Sequence, residues 1–191
     1  MQGTHFNEKG TIVSYSIIKP EDFNENVFHL IAKDWFLMTA EHDGVVNPMT
    51  VAWATMGILW QKPVVICAVR PERYTHEIAS QADTFSLTVF DKSYKKVLGF
   101  CGTKSGRDYD KVKECNLTVV HDGETPYFSE ARLAFICKKL CVSQLSEDDF
   151  LGNKEFTDTW YGGENRADGQ GGGYHHLYIA EIEKILQKDP E

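Results

Sequence analysis

No stretch of this chain is apolar for long enough to cross a bilayer as a helix. Its most hydrophobic run, residues 64–69, lies between Pro63 and Arg70 and has the length of a strand. The first ten residues lack both the basic segment and the apolar core of a secretory signal. Basic charge is also scarce: the formal net charge is −8. That weighs against nucleic acid or an anionic membrane surface as a partner, since both need a cationic face. The five cysteines are an odd number at scattered positions, unlike a disulfide framework, and a reducing cytoplasm is the simplest compartment. There is no Gly-x-Ser-x-Gly nucleophile motif and no Gly-x-Gly-x-x-Gly fingerprint, so a nicotinamide donor would have to dock without a Rossmann domain. Cys137 and Cys141 with His175 and His176 invite a zinc proposal. Two cysteines that far apart on a strand cannot chelate together, and no metal is expected.

What remains is a 191-residue chain, 42% hydrophobic and 25% charged, with ordinary globular composition and enough length for one cored domain over 1–191. Strands are expected over 11–18, 35–40, 47–55, 63–69, 85–90, 117–120, 131–142 and 175–186, from β-branched and aromatic runs between turn signals. The lysine pair at 138–139 is a candidate break in the second-last of these. Short helices are expected over 24–33, 75–82, 94–100 and 108–114. Mostly strands, without regular strand–helix alternation, this order fits a closed or partly closed antiparallel barrel.

Three segments could carry chemistry. In Arg70-Pro71-Glu72-Arg73-Tyr74-Thr75 a strand ends and a helix begins, with Thr75 placed to cap it. Exposed amides at a helix start and a nearby guanidinium can grip phosphate oxygens, although arginines pairing with Glu72 and Glu77 on a surface turn would read alike. In Lys104-Ser105-Gly106-Arg107-Asp108-Tyr109-Asp110-Lys111, Ser105 and Asp108 have capping-box spacing, and three cations concentrate in an acidic protein. In 47–55, small and hydroxyl-bearing residues alternate with large ones, leaving a shallow surface on which a flat ring could lie; a packed barrel strand reads the same. The glycine-dense stretch 162–173 is either a solvated connector or a mobile lid whose Trp160 or Tyr161 reaches a cofactor. The acidic run 146–149 is a helix start, a solvated surface or a patch for docking a redox partner.

Taken in order, Asn47-Pro48-Met49-Thr50-x-x-Trp53, Pro63-Val64-Val65, Arg70-Pro71-x-Arg73-Tyr74-Thr75, Phe85-Ser86-Leu87-Thr88-Val89 and Ser105-Gly106-Arg107-Asp108-x-Asp110-Lys111 resemble the flavin reductase-like, or flavoredoxin, family. The closing residues 176–182 resemble that family's last barrel strand. The resemblance implies a mainly β protein with short helices, an FMN-binding split β-barrel, and a homodimer with FMN near the subunit interface. It implies that Asn47, Met49, Thr50, Val51, Ala52, Trp53, Ala54 and Thr55 line the isoalloxazine ring. Arg70, Arg73, Tyr74 and Thr75 would then hold the phosphate or ribityl chain, with Ser105, Gly106, Asp110 and Lys111 as further contacts. Thr88 stands in a segment where the family often ends a small-polar pattern in asparagine; this chain has Phe90 there instead. The implied activity is that of an NAD(P)H-dependent flavin reductase, taking electrons from NADH or NADPH and passing them to free flavin or a redox protein. The alternatives are a flavoredoxin-like electron carrier reduced by a protein partner and a flavin-binding module without turnover. The flavin supplies the redox chemistry, so no catalytic side chain is named.

Overall fold

The structure is a computed structural model that describes residues 3–6, 12–162 and 173–190. Its organising element is β11 (His176–Lys188), which alternates buried and half-exposed positions and pairs with three strands. Along its length it runs antiparallel to β10 (Leu133–Gln144), with bulges near Cys137 and between Lys139 and Cys141. The lysine pair therefore distorts the strand without interrupting it. The first half of β11 pairs with β6 (Lys62–Val69), and its end pairs with β2 (Ile12–Ile18). β1 (Gly3–Phe6) adds beyond β2. On the other side of β10 follow β7 (Thr84–Val89), β3 (Phe36–His42) and β4 (Val45–Val51). β5 (Ala54–Leu59) forms a hairpin with β6. Among the described residues no ladder joins β4 to the β5–β6 hairpin, so this nine-stranded sheet curls without closing, as in a split barrel. A small separate hairpin comprises β8 (Val119–Asp122) and β9 (Thr125–Phe128).

The main core fills the barrel with Phe36, Met38, Leu87, Val65, Cys67, Phe135 and Tyr178, all at or near zero exposure. Each large apolar side chain withdrawn from water contributes roughly 1.5–3 kcal/mol. A second cluster holds the β8–β9 hairpin, where the Tyr15 hydroxyl donates to the Ser129 and Ala131 carbonyls. A third lies under α3 (Lys95–Thr103), around Leu37, Leu98, Cys101 and Phe128.

The expected strand over 47–55 is two strands. β4 ends at Val51 with the β3 ladder, and β5 begins at Ala54 opposite Cys67. Ala52 and Trp53 carry the chain from one half of the sheet to the other, where the Ala68 amide donates to the Trp53 carbonyl. The helix expected over 24–33 is a single turn, α1 (Val27–His29), that widens into a π-helix, Leu30–Asp34. The helix over 75–82 is α2 (Tyr74–Gln81); that over 94–100 starts as a 3-10 turn and becomes α3; that over 108–114 shrinks to α4 (Lys111–Glu114). Strands β1, β9 and helix α5 (Lys154–Tyr161) have no counterpart in the sequence expectations. Most of the glycine-dense segment lies outside the described residues.

Candidate functional site

The crossover at Ala52 and Trp53 forms one wall of a cleft of about 310 Å³, faced by α3. Two features hold α3 close to β4. The Thr50 hydroxyl donates to the Leu98 carbonyl at 2.5 Å, and Gly102 presents no side chain where a Cβ would stand 3.3 Å from Thr50 Cβ. Gly99, one turn earlier, leaves open space above the floor. Met49, Thr50, Val51, Ala52 and Trp53 line one side, and Trp35, Leu98, Gly99, Gly102 and Thr103 the other. Ala68, Arg70, Arg73 and His175 complete the lining. Trp35 adopts φ 67°, a costly conformation for a bulky residue, and the Lys95 ammonium sits 3.4 Å from its ring centroid.

The cleft continues into a smaller pocket of about 160 Å³ through Arg70, Arg73 and Thr103, which line both. Tyr74, Thr75, Lys104, Ser105 and Lys111 line the rest, together with Glu72, whose carboxylate accepts from the Gly173 amide. Lys111 is 3% exposed, and its ammonium donates to the Pro48 and Cys101 carbonyls at 3.0 Å each. No carboxylate pairs with it among the described residues. An ammonium has three donors, so one is left for the pocket. Burial lowers the Lys111 pKa to about 8, with the Arg73 guanidinium pushing the same way and the nearby cysteines opposing. Arg73 is itself pulled below its usual value by burial, and it donates to the Cys101 carbonyl at 3.4 Å. Two crowded cations, one of them buried with only neutral acceptors, form a ready site for a phosphate.

Beyond Trp53, α5 closes the far end. Trp160 meets Trp53 edge-to-face at 5.1 Å, and Tyr161 is hydrogen-bonded to His175 Nδ1 at 2.8 Å. The Arg70 guanidinium donates to the Trp160 carbonyl at 3.1 Å and lies over the Trp53 and Tyr161 rings.

Of the residues singled out from the sequence, Met49 to Trp53 with Arg70 and Arg73 line the cleft, and Tyr74, Thr75, Ser105 and Lys111 line the pocket. Several roles change. Thr75 does not cap α2: Arg73 is the N-cap residue, and the Thr75 hydroxyl accepts from Asn47 Nδ2 inside the first turn. Ser105 and Asp108 form no capping box: the Ser105 hydroxyl accepts from the Arg107 amide, two residues on rather than three, in a turn and not at a helix start. Asp110 caps α4 instead, accepting from the Lys113 amide, and lines neither cavity. Gly106 lines neither cavity; it packs against Asn47 and Tyr74. Arg107 is engaged by the Glu72 carbonyl and the Glu77 carboxylate. Thr88 is buried on β7, donating to the Leu37 carbonyl, and Ala54 and Thr55 lie past the crossover; none of the three lines the cleft. The sequence reading missed Trp35, Ala68, Leu98, Gly99, Gly102, Thr103 and His175. The Gly-x-x-Gly spacing at 99 and 102, which bares one face of a helix, is the signal that could have pointed to α3.

The sequence matches the family model of the flavin reductase like domain over residues 28–191. A protein of Aeropyrum pernix described as uncharacterized is 31% identical over 121 residues, which cover 61% of this chain and 45% of that protein. The chain thus matches less than half the length of that curated relative. Among solved structures, flavoredoxin from Methanosarcina acetivorans superposes with a TM-score of 0.63 at 19% identity, over 90% of this chain and 75% of the other. The FMN-binding protein from Thermus thermophilus with bound 1-cyclohex-2-enone gives 0.61 at 17%, over 86% and 76%. These similarities show the same fold.

Proposed function

The chain belongs to the flavin reductase-like domain family, and on that premise we propose that it binds FMN non-covalently and acts as an NAD(P)H-dependent flavin reductase. The observation that carries this is the continuity between an apolar cleft and a cationic pocket that holds a buried lysine whose partners among the described residues are carbonyls. A planar ring system joined by a short polar chain to a phosphate matches that layout in order and in chemistry. The cleft volume falls at the lower end of the range for small-molecule sites, about 300–1,000 Å³. Bound FMN supplies the electron-transfer chemistry. The backbone and small side chains of 49–53 orient the ring, Leu98 and the glycines of α3 leave room for it, and Arg73, Lys111, Thr75 and Ser105 meet the phosphate. Trp53 and Trp160 limit water at the outer edge.

The β5–β6 hairpin leaves Ile58 and Trp60 exposed, apolar surface that a second copy of the chain would cover in a homodimer. All five cysteines are free, which suits a reducing cytoplasm. Loading with FMN, followed by anaerobic mixing with NADH or NADPH, tests the reading. Stoichiometric binding with bleaching of the flavin absorbance is expected. Absence of FMN binding in an equilibrium titration would overturn the cofactor assignment, and bleaching by dithionite alone would overturn the nicotinamide donor.

A further inference from the structure

The cleft is not the end of the cavity system. Past Trp53 and His175 a second hollow of about 400 Å³ opens, walled by Phe150, Phe156, Trp160 and Tyr161. It is built from a segment with strong local stops. A reciprocal Ser146–Asp149 capping box sets the 3-10 turn Glu147–Phe150. Asn153 then caps α5 by accepting from the Phe156 amide at 3.1 Å. Arg70 fixes the other end of that helix through the Trp160 carbonyl. The result is an aromatic surround: Phe150 stacks on Phe156 at 5.6 Å, approaches Tyr161 at 5.5 Å, and faces Trp160 through Phe156 at 6.4 Å.

Three observations select an occupant. Among the described residues no carboxylate, ammonium or guanidinium lines the hollow, so none of them offers a charged ligand a partner in its wall. Water would fare poorly as well, since an apolar cavity offers it few hydrogen bonds. Yet Phe156 and Trp53 are 45% and 41% exposed, unusual for large apolar side chains grouped around one concavity. Ring faces and edges in this arrangement favour a planar π-system. An apolar cavity of about 150 Å³ takes one benzene ring, so this hollow has room for two fused rings with a substituent. The polar groups of its lining residues include the Trp53 and Trp160 indole N–H and the Tyr161–His175 pair, whose phenol oxygen can meet one ligand oxygen.

We infer that this hollow is a binding site for a neutral aromatic compound of one or two fused rings carrying a hydroxyl or carbonyl oxygen. Trp53, Ala68 and His175 line both this site and the cleft, so the ligand abuts the place proposed for the flavin ring. Its standing as a substrate of the redox centre rests on the proposed function, whereas its binding does not.

The probe is 2-naphthol, with naphthalene as its counterpart lacking oxygen, titrated calorimetrically into FMN-loaded and FMN-free protein at pH 7. Saturable one-to-one binding of 2-naphthol to both forms is expected. Phe156→Ala should weaken it by about tenfold or more through lost apolar contact, while Leu151→Ala, on a fully exposed side chain nearby, should not change it. Tyr161→Phe should weaken 2-naphthol by about tenfold yet leave naphthalene unchanged, which loss of fold would not do. Binding of 2-naphthol to a protein that fails to bind FMN would uphold this site and remove the proposed function. Absence of 2-naphthol binding to either form would overturn the site, as would equal binding to wild type and both ring variants.

Discussion

Asn47 Nδ2 donates to the Thr75 hydroxyl oxygen at 2.7 Å, and this bond joins β4 to the first turn of α2 beneath the cationic pocket. Gly106 lies directly over it: a Cβ there would fall 2.0 Å from Asn47 Oδ1 and 2.7 Å from the Tyr74 ring. The three residues from three separate segments thus form one packed unit. Gly106→Ala should displace the buried Asn47 amide and destabilise the protein by about 1–3 kcal/mol, the cost of orphaning a buried polar group. Asn47→Ala should cost a similar amount. In the Asn47→Ala background the additional cost of Gly106→Ala should shrink, because the nearer clash is gone and only the Tyr74 contact remains. Urea denaturation of the two single variants and the double variant checks this; strictly additive losses would contradict the packing.

Arg70 sits where the cleft, the cationic pocket and α5 meet. Its fork holds the Trp160 carbonyl while its face lies 5.4 Å from the Tyr161 centroid. Arg70→Lys keeps the charge and loses the fork, so it should not restore what Arg70→Ala removes. Both variants should show faster proteolytic cleavage within 154–162, with β10 and β11 still protected in hydrogen exchange. Unchanged cleavage would mean that α5 is held by its aromatic contacts alone.

Much of the barrel was legible in the sequence because β6, β7, β10 and β11 bury nearly continuous or alternating apolar runs. The break at Ala52 and Trp53 was not, since neither residue is a turn former; the ladder with β3 stops at Val51 and pairing resumes with β6 at Ala54. Cap chemistry misled at Ser105: its hydroxyl serves the Arg107 amide within a local turn, and the helix starts later, at the Asp110 cap. The cleft-lining residues 49–53 and the cations at 70, 73 and 111 were readable as types in a pattern. Their companions Trp35, Ala68, Leu98 and His175 come from four other segments, and no local spacing links them. Lys111 read as one of three clustered cations and as an implied ribityl or phosphate contact; its burial depends on α4 folding back onto the Pro48 carbonyl.

The cysteines divide by burial. Cys67, Cys101 and Cys137 are buried, whereas Cys115 and Cys141 are half-exposed. Burial pushes the Cys67 and Cys101 thiols up to about 12 and Cys137 well above its usual range. At pH 8 such thiols carry almost no thiolate, the form that reacts. Ellman's reagent should therefore titrate no more than two of the five quickly in the native protein, and the rest only on unfolding. Fast reaction of three or more would show that the barrel opens on the labelling timescale.

The ammonium of Lys111 should make phosphate binding at the proposed flavin site depend on pH. Without ligand, burial holds its pKa at about 8 against the usual 10.5, so between these values the unfolded chain binds more protons than the folded one. Stability of the FMN-free protein should then rise with pH across that window; below it the penalty for burying the charge is at its full value and this group adds no pH dependence. A bound phosphate reverses the local balance, because its negative charge favours the protonated lysine. FMN binding above pH 8 must therefore take up a proton, and affinity should fall as pH rises from 8 to 10. Riboflavin has the same ring without the phosphate, so the ratio of the two affinities cancels any titration of the ring itself. That ratio should favour FMN strongly at pH 7 and decline toward pH 10. Lys111→Met should weaken FMN binding by about 1.5–3 kcal/mol, the range for a hydrogen bond to a charged group, and flatten the dependence. Fluorescence titrations of both ligands at pH 7, 8, 9 and 10 measure it. A ratio that stays constant in wild type would place the phosphate away from Lys111, and Arg73 would then be the cation to remove.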